Sequence, residues 1–162
     1  MITENKQISE KEAWAKLSAL CAKAEHCSGE IEEKLRLWGI EAEAKARIMA
    51  RLTEEKYIDD ERFVRSFVHD KMINNKWGRR KIEQALYQKR APKDVALKIL
   101  DEIPDDAYIA ILKPLIKSKE KTVKARTDYE RNMKLIRFAI GRGFGRNIIY
   151  RCIDHPDELP DD

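Results

Sequence analysis

The chain has 162 residues, enough for one domain or two or three small subdomains sharing a continuous core, and too few for a large multidomain enzyme. Charged side chains make up 38% of it while Gly and Pro number six and five, so helix formers dominate, strand punctuation is scarce, and an all-α protein is expected. The formal net charge is +4, no window approaches the roughly 18 apolar residues that span a bilayer, and MITENKQISEKEAW lacks the basic and apolar regions of a signal peptide. A cytoplasmic protein with no membrane partner is therefore expected, and the odd cysteine count (Cys21, Cys27, Cys152) fits free thiols in a reducing compartment.

In chain order, the first helix is predicted to start at the N-cap Ser9, with Glu12 completing an S-x-x-E capping box and Ala13, Leu17, Leu20 and Cys21 forming the apolar stripe. Ser28 is expected to cap a second helix, which carries Ile31 and Leu35 and stops near Gly39. A third runs from about 41 to 55 with Ala44, Ile48 and Leu52 inward. The same pattern then returns. At an offset of 51, Ile31, Leu35, Ile40, Ala44, Ile48 and Leu52 match Ile82, Leu86, Ala91, Val95, Ile99 and Ile103. A further offset of 53 continues the series with Leu135, Ala139, Phe144, Ile148 and Cys152.

Three tandem three-helix repeats follow: 1–56 including an N-terminal extension, 57–104, and 105–156, with an acidic tail at 157–162. In each, the second and third helices meet at a helix-turn-helix-like corner, near Gly39-Ile40, Arg90-Ala91-Pro92 and Gly143-Phe144. Stacked repeats are expected to form an elongated, curved array of the kind that holds macromolecules along a surface.

Charge is unevenly placed. Residues 61–100 carry a net +7 and 113–151 a net +9, against −3 for 1–60, −4 for 101–112 and −5 for 152–162. Two basic blocks favour a polyanionic or acidic partner over a merely solvated face. The densest run is Trp77-Gly78-Arg79-Arg80-Lys81, where three cations open a helix against its dipole and so suggest a use in binding. With Lys76, Lys89 and Arg90, and with Lys134, Arg137, Arg142 and Arg146 in the third repeat, they make the candidate partner- or DNA-binding surface. Trp77 could stack on a base or close the helix corner, and packing is the favoured reading.

The adjacent carboxylates Asp59-Asp60 pose the catalytic question. Without metal-ligand or acid–base partners at fixed spacing, they read as helix starters, with Phe63 and Phe67 seating the new helix. Cys21, His26, Cys27, Cys152 and His155 match no strong zinc spacing. Gly-Arg-Gly-Phe-Gly at 141–145 follows no strand and lacks the Lys-Ser/Thr of a phosphate loop, so its glycines read as ending one helix and admitting the next. No catalytic residue, metal site or cofactor is expected.

The run from Tyr57 to Arg90 resembles the central signature of the RecX family of bacterial recombination regulators. The elements are Tyr57-Ile58, Asp59-Asp60, Arg62-Phe63, Phe67, and Gly78 followed by Ile82 and Leu86. Ala19-Leu20, Ser28 to Ile31, Lys34-Leu35 and Gly39-Ile40 are similar to the family's opening repeat. One departure is Lys89-Arg90-Ala91, where the family usually has Lys-Gly and an apolar residue, and it bears on the shape of that corner. The resemblance implies a non-catalytic protein that binds the RecA recombinase and its filament on single-stranded DNA. It would lower the ATPase, strand-exchange and coprotease activities of RecA in DNA repair and the SOS response. A monomer with at most weak direct DNA contact is expected, and the runner-up is a helix-turn-helix-type module that binds nucleic acid directly through its basic faces.

Overall fold

The computed structural model describes residues 8–153. The extension at 1–7, His155 and the acidic tail 157–162 lie outside the described residues. Nine helices follow one another, with no strand among the described residues: α1 Glu10–Lys23, α2 Ser28–Leu37, α3 Ala42–Glu54, α4 Asp60–Ile73, α5 Arg79–Gln88, α6 Lys93–Asp101, α7 Asp105–Glu120, α8 Asp128–Gly141 and α9 Arg146–Tyr150. The fold is all-α, as composition and periodicity predict.

Two compact units are present, Met1–Ser66 with Leu86–Leu97, and Phe67–Ala85 with Lys98–Asp162, the division falling within α4, α5 and α6. In the first, α1 and α2 both pack on α3. Ala13, Leu17, Ile31, Leu35, Ile48, Leu52 and Ile58 form its core, flanked by half-buried Trp14, Leu20, Cys21, Trp38 and Tyr57. Burying such side chains contributes roughly 1.5–3 kcal/mol each relative to leaving them exposed. Ala44, expected inward, is only half-buried. In the second unit α7, α8 and α9 pack on one another, burying Leu112, Ile116, Leu135, Ile136, Ala139, Phe144, Ile148 and Ile149. Cys152, the last apolar match in the series, is half-buried.

Helix ends follow local chemistry. The Ser9 hydroxyl accepts the Glu12 N–H at 3.1 Å and caps α1 as expected. The cap of α2 differs: Cys27, not Ser28, is the N-cap, and Glu30 accepts the Cys27 N–H at 3.3 Å. Ser28 lies inside the helix because a carboxylate from α4 takes over its polar atoms, as described below.

The three predicted corners share one construction. At the first, the Ile40 N–H donates to Leu35 O at 3.1 Å and the Gly39 N–H to Arg36 O at 3.1 Å. At the second, Ala91 donates to Leu86 O (3.1 Å) and Arg90 to Tyr87 O (3.0 Å); at the third, Phe144 donates to Ala139 O (3.2 Å) and Gly143 to Ile140 O (2.9 Å). This pair of bonds is the Schellman closure, which needs a left-handed residue after the helix. Gly39 (φ 70°), Arg90 (φ 62°) and Gly143 (φ 94°) supply it. Arg90 thus keeps the corner that its departure from glycine put at issue.

Candidate functional site

The signature carboxylates are engaged in architecture. Asp59 is the cap of α4: its Oδ1 accepts the Arg62 N–H at 3.0 Å, and its carbonyl accepts the Phe63 N–H at 2.9 Å. Asp60 turns to a different helix, accepting the Ser28 N–H through Oδ1 and the Ser28 hydroxyl through Oδ2, both at 2.7 Å. A carboxylate at the start of α2 also meets the positive end of that helix dipole. Arg62 Nε lies 2.8 Å from Glu25 Oε1, and its terminal nitrogen donates to Lys56 O at 3.2 Å, bracing the left-handed turn at Lys56 (φ 62°). Phe63 is buried at 6% exposure and Phe67 half-buried. Among the described residues no group of three or more His, Cys, Asp or Glu is placed to hold a metal.

Backbone is brought unusually close at two places. A Cβ on Gly29 would sit 1.8 Å from Arg90 O, and one on Gly78 would sit 2.5 Å from the carbonyl of Gly143. Beside the first approach, the Cys27 thiol donates to Lys89 O at 3.1 Å. Burial pushes that thiol up to about 11, so it is a proton donor at neutral pH rather than a nucleophile. Beside the second, the Gly78 N–H donates to Arg142 O at 2.8 Å and the Arg80 N–H to Gly143 O at 3.0 Å.

The ten candidate cations separate by what they touch. Arg79 reaches Asp101 at 2.6 Å and Glu83 at 3.8 Å, and the Asp101 hydrogen bond holds its guanidinium above the usual range. Lys89 lies 3.8 Å from Glu30 and Arg90 3.3 Å from Glu33. Lys134 lies 3.4 Å from Glu130 and donates to Lys124 O. These four are neutralised in part by carboxylates. Arg146 is half-buried at the start of α9. Lys76 takes a left-handed conformation (φ 57°) and is exposed, as are Arg80 and Arg137.

Lys81 and Arg142 enter a cluster of cations and rings in the second unit. Lys81 Nζ lies 4.8 Å from the Trp77 ring centroid and donates to Gly141 O at 3.4 Å. Lys71 Nζ lies 5.4 Å from the same ring and 5.3 Å from that of Phe67. Arg142 donates to Asn75 O at 2.9 Å and lies 5.4 Å from the Phe138 ring, with Lys119 5.1 Å from that ring. Lys71 also lies 3.6 Å from Asp70 and is neutralised in part, whereas the rings hold Lys81, Arg142 and Lys119 without cancelling their charge, so the cluster stays attractive to a polyanion. Trp77 therefore packs and also seats charge. Phe138 and Lys119 escaped the sequence reading; the Phe138–Arg142 spacing of four along one helix was the available signal, whereas Lys119 had none.

Comparison with known proteins gives a consistent family. Residues 59–98 match the model described as RecX, second three-helix domain. The regulatory protein RecX of Vibrio parahaemolyticus is 32% identical over 152 residues, covering 93% of this chain and 94% of that protein. The regulatory protein RecX of Acinetobacter baylyi is 31% identical over 140 residues, covering 86% and 85%. In fold, the chain is similar to the crystal structure of RecX from Lactobacillus salivarius, with a TM-score of 0.84 at 19% identity over 93% of this chain and 97% of that one. No helix among the described residues is long and apolar enough to cross a membrane. With a signature spent on capping helices and relatives matched along nearly its whole length, the chain belongs to the RecX family of regulatory proteins.

Proposed function

We propose that the protein is a non-catalytic, cytoplasmic regulator that binds the RecA recombinase and its filament on single-stranded DNA and lowers RecA's ATPase, strand-exchange and coprotease activities. Family membership supports the partner, and the engagement of Asp59 and Asp60 with helix starts supports a role without catalysis. Three repeats, 1–56, 57–104 and 105–156, are the organisation that goes with this reading, and the shared Schellman corners support it.

The observation that carries the contact surface is the cluster of Trp77, Lys81, Phe138 and Arg142, whose cations rest on rings and backbone carbonyls. Lys76, Arg80 and Arg137 extend its charge, while Lys71, Arg79 and Lys134 contribute less because each faces a carboxylate; in the first unit Lys89 and Arg90 face carboxylates likewise. The same cluster also supports the second reading, direct binding of nucleic acid, since positive charge interleaved with aromatic side chains is how single strands are held.

The test is DNA-dependent RecA ATPase with wild type and with Lys76→Glu/Lys81→Glu, whose helical content is checked by circular dichroism. Wild type is expected to inhibit, and the variant to need about tenfold more protein for the same inhibition, the scale of losing two charge contacts at about 0.7 kcal/mol each. Equal inhibition by both removes this cluster from the mechanism. A wild-type protein that leaves RecA unchanged yet binds naked DNA, with affinity falling steeply as salt rises, replaces the first reading with the second.

A further inference from the structure

The second unit contains a cavity of about 230 Å³ walled by Arg79, Arg80, Asp105, Tyr108, Phe144 and Asn147. Two of its walls, Arg79 and Arg80, belong to the basic run beside Gly78, whereas Tyr108, Asp105 and Asn147 have no place in the function proposed above. Its contents are polar and unbalanced. Tyr108 is 4% exposed, and its hydroxyl is buried with no hydrogen-bond partner among the described residues. An unmet hydroxyl of this kind costs about 1–3 kcal/mol, so it is kept where something supplies an acceptor. Burial pushes its ionisation up to about 12, which keeps the O–H a donor at neutral pH.

The rest of the wall also offers donors. Arg80 is exposed and meets no carboxylate within ion-pair distance among the described residues, and Arg79 stands beside it, already bound to Asp101. Both open α5, a helix of 10 residues, so its positive end is turned toward the same region. The one carboxylate on the wall, Asp105, accepts from Asn147 Nδ2 at 3.2 Å. Donors therefore outnumber free acceptors. A water takes about 30 Å³ of liquid volume, so the space exceeds what one water would fill and admits a tetrahedral anion with part of its hydration.

We propose that this cavity binds one phosphate group, free or carried in a nucleic-acid strand, through the Arg80 guanidinium and the Tyr108 hydroxyl. A phosphate presents acceptor oxygens in several directions and carries more charge than a carboxylate, which suits a guanidinium and an isolated hydroxyl drawn from different helices. Asp105 opposes the charge and keeps the affinity modest, so the occupant exchanges.

The test uses the full chain and inorganic phosphate, followed by NMR chemical-shift titration and thermal unfolding at constant ionic strength, with chloride and acetate as controls. Saturable binding of phosphate is expected, weakened about tenfold in Arg80→Gln and several-fold in Tyr108→Phe. Tyr108→Phe is also expected to keep or raise the unfolding midpoint without phosphate, because the hydroxyl it removes has no partner. A five-nucleotide thymidine strand that competes with phosphate identifies the strand as the source, and one that does not identifies the free ion. No saturable response beyond that of chloride, equal binding of acetate, or unchanged affinity in Arg80→Gln overturns the proposal.

Discussion

The two close approaches of backbone, Gly29 against Arg90 and Gly78 against Gly143, solve one problem by different chemistry. In both, a glycine at the start of a helix presses on a left-handed Schellman corner. At Gly78 the joint is closed by main chain, with N–H groups of Gly78 and Arg80 donating to Arg142 and Gly143 carbonyls. At Gly29 it is closed by side chains: the Cys27 thiol donates to Lys89 O, and Asp60 takes both polar atoms of Ser28. A main-chain joint asks of its sequence only that a side chain be missing. A side-chain joint demands particular residues at 27, 28 and 60, which is why Asp60 is bound up with a signature while its partner lies 32 residues away.

The deepest break in either joint is a methyl group. Gly29→Ala and Gly78→Ala place a Cβ 1.8 Å and 2.5 Å from carbonyl-bearing backbone, and backbone cannot swing aside as a side-chain tip can. Each is expected to cost about 3 kcal/mol, the upper range for overpacking, although Ala is otherwise the better helix former. Urea unfolding checks it. A loss below about 1 kcal/mol at either glycine would mean that the corner relaxes and the approach is not obligatory.

A smaller effect separates the two joints. Asp60→Ala leaves the Ser28 N–H and hydroxyl without their acceptor and is expected to destabilise the protein by about 2 kcal/mol, the range for hydrogen bonds to a charged group. Asp60→Asn should recover about half, since an amide oxygen replaces one acceptor but not the charge. Backbone hydrogen exchange locates the damage: faster exchange is expected in α2, at Ser28 to Ile31, and not at Gly78 and Arg80. Equal acceleration at both places would show that the side-chain joint and the main-chain joint are not independent.

How much of this was legible follows from range. The apolar register was visible because a 3.6-residue period survives in one dimension. It even aligned Leu35, Leu86 and Ala139, whose carbonyls accept the outer Schellman bond at all three corners. The Asp-Asp pair was legible as a helix start, and Asp59 is one. What Asp60 does was not, because its acceptor geometry depends on a fold-level approach of α4 to the first turn of α2. The same limit moved the cap from Ser28 to Cys27, since a serine looks the better cap until another helix claims its hydroxyl. The basic run 79–81 was visible as charge, but its three members part company in space: Arg79 goes to Asp101, Lys81 to Trp77, and Arg80 stays exposed.

The mildest test concerns the corner that departs from glycine. Arg90 at φ 62° pays roughly 1–2 kcal/mol for a left-handed L-residue. Against that, Arg90→Gly forfeits a 3.3 Å pair with Glu33 from a largely exposed side chain, at a cost of about 0.2–0.5 kcal/mol. The freer unfolded chain costs a further 0.4–1 kcal/mol or so. The net expectation is a gain of about 0.5 kcal/mol, read as a rise of about 1–2 °C in Tm. Removing the arginine's own Cβ does not make room at Gly29, because the nearest obstacle there is the Arg90 carbonyl oxygen, not the side chain. Gly29→Ala should therefore be as damaging in the Arg90→Gly background as in wild type. Rescue in the double variant would place the constraint in the Arg90 side chain and dissolve the parallel with Gly78 and Gly143.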